Sequence, residues 1–422
     1  MVSVIESLWI FVVLSVATIQ KLKDRKPLGP NGLSWLKLHC INLTGKMKRK
    51  SVADRLQEAE DRLPDILDSA NDPLTGRGWW MESEEPWQTL AACMELRDVL
   101  ASGGVPDDFV SHLPIHQDGS CNGLQHYAAL GRDKQGGSEV NLLPEKLPSD
   151  VYSSVAVRVE QKRLEDEKTG GDDQEVAQKL RLALPQAVPR KVIKQTVMTT
   201  VYGVTMYGAV QQIKRQLKAL DIDNEDTGKF ASYLARKTFA SLHDAFTSSM
   251  QLKDWFRTCA KGTNELMRTV EWVTPLGLPV VQPYLRDKMT KNRLILQPIP
   301  MKQIDAFPPN YVHSLDSTHM MLTSLECARR GVTFAAVHDC FWTHASTADT
   351  MNEICRQQFV NLHNQPLVDQ LSDWFLDHYL PTSVMTALPQ EEKDKFMRIF
   401  TPSVQPGDLD IDEVKKSVYF FS

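Results

Sequence analysis

No stretch of this chain is long and apolar enough to commit to a membrane span. The longest such run, Leu8 to Ile19 (LWIFVVLSVATI), has twelve residues, where a bilayer needs about 20. Glu6 precedes it and no Lys or Arg does, so it lacks the basic start of a secretory signal, and it is not the Arg-rich amphipathic pattern of a transit peptide. It reads as a buried strand or helix, or as an atypical start joined to a truncated chain; a membrane anchor is the other reading. Cysteine is sparse: seven residues, an odd number, at 40, 93, 121, 259, 327, 340 and 355, with no C-x-x-C pair. That excludes a disulfide scaffold and a zinc ribbon and fits a reducing compartment. Positive charge is not in excess either. Lys+Arg is 48 against 53 Asp+Glu, a net charge of -5. A nucleic-acid binder with this balance must concentrate its basic residues locally. The 21 Gly and 23 Pro follow no period, so a collagen-like or repeat architecture is ruled out.

What is present is an ordinary globular composition, 42% hydrophobic and 24% charged over 422 residues, enough for two to three lobes. The pattern is mainly helical with a few short strands. Ser51 to Leu67 has helical spacing behind a good Ser start, and Gln88 to Ala101 is a second helix. Glu160 to Asp173 (EQKRLEDEKTGGDD) reads as a solvated helix end and loop. Two basic zones emerge. From Arg181 to Leu220 there are seven cationic residues and no acidic one; from Val281 to Ile304, Arg286, Lys288, Lys291, Arg293 and Lys302 face only Asp287. The Pro and Gly residues flanking the second zone predict a long hairpin or loop.

Three segments carry candidate chemistry. In HQDGSCNGLQHYAALGRD (His116 to Asp133), Asp118 follows an apolar run and precedes a helix pattern starting near Asn122. That is a common place for a metal-binding carboxylate, though Asp is equally suited to capping the helix. In RKVIKQTVMTTVYGVTMYG (Arg190 to Gly208), Arg190 and Lys194 are four apart and share a helix face, with Tyr202 eight residues further near the same face. Paired cations can hold a triphosphate and neutralise a leaving pyrophosphate. The plain alternative is a basic surface helix with Met198 and Val201 as its core stripe. In VTFAAVHDCFWTHA (Val332 to Ala345), two apolar runs meet at His338-Asp339, which predicts a β-hairpin with Asp339 at its turn. A carboxylate there is costly unless something cationic, such as a metal ion, sits beside it. A phosphohydrolase metal pair is also conceivable, but no H-x-x-x-D or H-x-x-x-H set accompanies it.

These segments, in this order, together with FPPNYVHSLDSTHM (Phe307 to Met320) and the terminal YFFS, resemble the active-site motifs of the single-subunit RNA polymerases of phage and mitochondria. The resemblance runs from about Arg25 to Ser422. It implies an α+β, mainly helical right-hand polymerase. Residues 21–134 would be the first part of the palm with the metal motif at 116–133. Residues 135–305 would be the fingers, with a nucleotide-binding helix at 190–203 and a specificity-type loop at 273–303. Residues 306–422 would be the second part of the palm, with the metal motif at 337–343 and a C-terminal aromatic tail. By this likeness Asp118 and Asp339 are the metal-binding aspartates, Gly119 offers its carbonyl to a metal, and two Mg²⁺ ions are the cofactor. Asp118, Asp339 and Lys194 are the catalytic set. Arg190 and Lys194 contact the triphosphate, Tyr202 closes the nucleotide pocket, and His313 contacts the 2′-hydroxyl. Gly123 stands where related DNA polymerases carry a Glu that blocks a 2′-hydroxyl, so ribonucleotides are expected to enter.

The implied function is DNA-directed RNA synthesis in the mitochondrion (matrix, nucleoid). Its partners would be a DNA template, the RNA transcript, ribonucleoside triphosphates and mitochondrial transcription initiation and elongation factors, with no membrane. The chain departs from the family in length. By this likeness the thumb and the amino-terminal regions are expected to be missing, and no Asp-x-x-Gly-Arg motif occurs in the sequence, Asp72 to Arg77 (DPLTGR) being only a look-alike. A truncated, catalytically silent nucleic-acid-binding fragment is therefore the competing expectation.

Overall fold

The computed structural model describes residues 22, 24–289 and 294–422. The apolar run at 8–19 and the tip of the basic hairpin, 290–293, lie outside the described residues. The architecture is mainly helical with small antiparallel sheets.

Helix α1 (Gly29–Leu43) begins with Pro in its first turn and buries Leu36, Cys40 and Leu43. The Ser51 start is real. Ser51 accepts from the Asp54 N–H while Asp54 accepts from the Ser51 N–H, a reciprocal cap. The single helix expected to Leu67 is instead two, Val52–Asp61 and Leu63–Asn71. Pro64 has no N–H to donate and is tolerated only in a first turn, so it opens the second helix. Strand β1 (Pro114–Asp118) leads into α2 (Asn122–Leu130), whose residues 122–129 are all buried.

Helix α3 (Val151–Thr169) ends at Gly170, which takes a left-handed φ of 77°. The stretch from Glu160 to Asp173 is the expected helix end and loop, exposed or half-buried except at one residue. Arg163 is fully buried, pairs with Glu160 at 2.8 Å, and donates to the carbonyls of Leu184 and Gln186. Glu160 in turn accepts from Arg181 and from the Val188 N–H. The two terminal nitrogens of Arg163 are matched, as a buried guanidinium requires, while Nε lies 3.8 Å from Glu167, and the group braces the segment entering α4 (Arg190–Thr200). Helices α5 (Met206–Lys218) and α6 (Thr247–Glu265) follow. The basic zone forms the expected antiparallel hairpin, Leu285–Met289 against Leu294–Pro298.

Helix α7 (Pro300–Arg329) runs thirty residues and contains Pro308 and Pro309, both buried. It delivers the chain to β2 (Ala335–Val337) and β3 (Cys340–His344), which precede α8 (Ala348–His363). The central sheet has the order β1-β3-β2, all antiparallel, with Asp118 opposite Cys340. The final residues close this sheet: the Ser422 N–H donates to the Asp118 carbonyl at 3.1 Å, and Phe421 stacks on Phe341 at 4.9 Å.

Candidate active site

The acidic half of the site follows from strand register. β1 alternates, burying Gln117 and turning Asp118 outward at its end. The β2–β3 connection is a two-residue turn, His338-Asp339, with His338 at a φ of 54°. A left-handed residue in a two-residue loop suits the twist of a hairpin. The Gly119 N–H donates to the Asp339 carbonyl at 3.3 Å. Two aspartates 221 positions apart (339 − 118) thus sit beside each other across the sheet.

Their electrostatics agree. Burial, and then the charge of Asp339, push Asp118 up to about 6, against the pull of the Gly119 amide and Lys48. The Asp118 carboxylate opens to solvent on one side, but the surrounding walls displace enough water for burial to dominate. A third carboxylate, Asp316 on α7, is likewise raised to about 6 by burial and by Asp339, while a hydrogen bond from Asn122 opposes the shift. Crowded carboxylates of this kind are relieved by a cation. Gly119 fits the same role, because its carbonyl accepts one hydrogen bond, from Cys121 at 2.9 Å, and a carbonyl has two lone pairs. Among the described residues no group of three or more His, Cys, Asp or Glu could form a metal cage. A pair of carboxylates plus a carbonyl suits Mg²⁺, which keeps waters and binds through one or two carboxylates.

The cationic half lies on α4. Arg190 opens the helix behind Pro189 and forms an ion pair with Asp150 at 2.9 Å. Asp150 caps α3 and also holds Arg49 at 2.8 Å. The Arg190 guanidinium lies 4.9 Å over the Tyr152 ring, and the Lys194 ammonium lies 5.9 Å from the same ring. Arg190 and Lys194 therefore share a face, as their spacing predicts. Met198 is exposed, so the core stripe of α4 is Val192, Ile193, Val197 and Val201. Tyr202 lies just past the end of the helix, in a turn, and stacks on His313 with centroids 4.8 Å apart. Burial, then Cys121, Asp339, Asp316 and Asp118 in that order, push the Tyr202 phenol up to about 12. Tyr202 thus stands within electrostatic reach of all three carboxylates. His313 is held below its ordinary value by burial and by His338, against Asp339.

Gly123 meets α4 closely. It is buried in α2, and a Cβ there would lie 2.5 Å from Cγ1 of Val201. The absent side chain leaves room for Val201 at the end of α4. Sequence reasoning also missed Asp316, Tyr152 and Lys48. Asp316 was within reach, three residues after His313 on one helix. Nothing local marks Tyr152 or Lys48, which meet the site only through packing. No helix among the described residues is long and apolar enough to cross a membrane.

Comparison with known proteins identifies the family. A family model described as DNA-dependent RNA polymerase matches residues 26–399. The chain is 47% identical over 418 residues to a mitochondrial DNA-directed RNA polymerase of Mus musculus, covering 94% of this chain and 34% of the relative. It is 46% identical to the Homo sapiens protein of that name over 414 residues, 94% of this chain and 32% of the relative. An Arabidopsis thaliana DNA-directed RNA polymerase 1, mitochondrial, is 42% identical over 412 residues, 94% of this chain and 40% of the relative. The chain spans about a third of the length of the two mammalian relatives.

Proposed function

The chain belongs to the DNA-dependent RNA polymerase family, and from that premise we propose that it carries the nucleotidyl-transfer centre of a mitochondrial DNA-directed RNA polymerase. It extends an RNA 3′ end on a DNA template from ribonucleoside triphosphates. The observation that carries this reading is the shared electrostatic space of Asp118, Asp339 and Tyr202, with Arg190 and Lys194 on one face of the neighbouring helix. The central sheet with α2 and α7 would be the palm, and α3 to α6 the fingers.

Phosphoryl transfer asks a protein mainly for positioning and charge neutralisation. Asp118, Asp339 and the Gly119 carbonyl would hold two Mg²⁺ ions, which when bound activate the attacking 3′-hydroxyl and stabilise the leaving oxygen. Lys194 and Arg190 bind the triphosphate, with Arg190 leaving its Asp150 ion pair or sharing it. The stacked Tyr202 and His313 close over the sugar, and His313 offers a ring nitrogen to the 2′-hydroxyl. Arg286 and Lys288 on the basic hairpin give the nucleic acid phosphate contacts, which orient without specifying sequence. Mitochondrial initiation and elongation factors complete the assembly in the matrix nucleoid.

The test is primer extension on a preformed RNA–DNA scaffold. Extension that needs Mg²⁺ and is lost in Asp339→Asn with scaffold affinity retained supports the reading. Scaffold binding without extension by the unsubstituted chain refutes it and leaves a silent nucleic-acid-binding fragment.

A further inference from the structure

Lys253 belongs to neither face of the site. It projects from α6, and its Nζ donates to the carbonyl of Thr200, the last residue of α4, at 2.9 Å. A helix C-terminus carries unpaired carbonyls and the negative end of the dipole, so an ammonium there is a favourable cap. The backbone immediately beyond is tightly folded. The Tyr202 N–H donates to the Thr199 carbonyl at 3.0 Å and the Gly203 N–H to the Thr200 carbonyl at 3.3 Å. Gly203 takes a φ of 76°, and a Cβ on it would lie 2.8 Å from the Asp305 carbonyl oxygen of α7. Thr200 thus ends the helix two residues before Tyr202, inside a turn wedged against α7.

The surrounding charges leave Lys253 to this one task. Asp305, the acidic side chain α7 turns toward it, is taken by Arg257 at 2.7 Å. Among the described residues no carboxylate forms an ion pair with Lys253. Burial, followed by Arg257, lowers its ammonium to about 8, against the pull of Asp254 and Asp305. The last turn of α4 brings no charged side chain.

We propose that Lys253 is a positioning residue whose ammonium latches the carboxy-terminal end of α4 and so fixes where Tyr202 stands over the incoming nucleotide. This rests on the polymerase reading of the site. The pH dependence separates the latch from a merely structural role. Between about pH 8 and the ordinary lysine value near 10.4, the folded chain has lost this proton and the unfolded chain still holds it. The unfolded state binds more protons, so the Lys253 contribution to stability rises with pH. Over the same range a charge-assisted hydrogen bond becomes a neutral one, roughly half as strong. Stability and positioning therefore move in opposite directions.

The experiment compares the unsubstituted chain, Lys253→Met and Lys253→Arg in primer extension on a preformed RNA–DNA scaffold from pH 7 to 9.5. At pH 7, Lys253→Met should raise the KM for the incoming ribonucleotide ~10-fold with little change in kcat, as expected for loss of one charged hydrogen bond. Lys253→Arg, which keeps its charge, should restore it within ~2-fold. The ratio of kcat/KM for the unsubstituted chain to that of Lys253→Arg should fall as pH passes 8. A ratio flat with pH, or a folded Lys253→Met with unchanged KM, overturns the proposal. Hydrogen exchange of the Tyr202–Val204 amides, corrected for intrinsic rates, supplies a readout free of catalysis. Protection should drop above pH 8 in the unsubstituted chain and persist in Lys253→Arg; equal protection in both overturns the latch. If no scaffold is extended at all, the polymerase reading falls, and the exchange data still decide the latch.

Discussion

The contact between Gly123 and Val201 makes a quantitative test of how the two halves of the site meet. A Cβ on Gly123 would lie 2.5 Å from Val201 Cγ1 and 3.3 Å from its Cβ. Val201 is buried in the main core, and β-branching leaves it little rotamer freedom to retreat. Gly123→Ala is therefore overpacking of a rigid neighbour, costing about 1–3 kcal/mol. The helix-propensity gain of Ala over Gly, about 1 kcal/mol, partly offsets this. A net loss of ~1 kcal/mol in Gly123→Ala is expected in urea unfolding. Val201→Ala alone removes two buried methyl groups, worth about 1.6 kcal/mol before any cavity term. In the double variant the new methyl fills the space the valine vacates. The double loss should fall below the sum of the singles by about 1–2 kcal/mol, a coupling well outside the usual additivity error. Additive losses, or a Gly123→Ala chain more stable than its parent, would refute the reasoning. The same contact forecasts that Gly123→Glu fails on packing for ribo- and deoxyribonucleotides alike. If it instead folds and selectively excludes ribonucleotides, Gly123 borders the sugar pocket as well.

Other outcomes follow from the charges. Asp118 and Asp316 are raised to about 6, so between the ordinary carboxylate range and pH 6 the folded chain holds more protons than the unfolded one. Their contribution to stability is thus lost as pH rises toward 6. Mg²⁺ should reverse this only above pH 6: at ten times its dissociation constant it adds about 1.4 kcal/mol, read as a rise in Tm that Asp118→Asn and Asp339→Asn abolish. A Mg²⁺-induced rise that survives both substitutions counts against the site. Arg163→Ala removes the donor from two interior carbonyls and leaves Glu160 with Arg181 and the Val188 N–H alone, with an expected loss of about 2–4 kcal/mol in urea unfolding; a loss under 1 kcal/mol would mean that solvent reaches the cluster.

The contrast between Asp118 and Arg163 shows what the sequence could and could not reveal. Asp118 at a strand end, Asp339 in a hairpin turn and the Ser51 cap were all legible, because each is a pattern within about ten residues. Period-two alternation, a two-residue turn and a reciprocal cap are set by local backbone chemistry. Arg163 sits in a run that is mostly charged, and composition alone reads such a run as solvated. Its burial depends on Leu184, Gln186 and Glu160 closing around it, which only the packed chain decides. The same holds for Asp150, forty positions from Arg190, and for the fit of Gly123 on Val201.

These illegible contacts share a consequence for the chemistry. The residues of α4 to which the proposal assigns nucleotide binding are local and readable, yet each is held by something remote. Glu160 and Arg163 brace the entry at Leu184 to Val188, Asp150 and Tyr152 receive Arg190 at the start, Gly123 seats Val201, and Lys253 holds the exit at Thr200. A helix that must present two cations at one end and an aromatic ring at the other within hydrogen-bond tolerance needs both ends fixed. Its own propensity cannot do this, since an eleven-residue helix is marginal alone. Substitutions at these four supports should therefore alter nucleotide binding without touching a catalytic side chain, and more strongly than exposed charges such as Lys191 on the same helix.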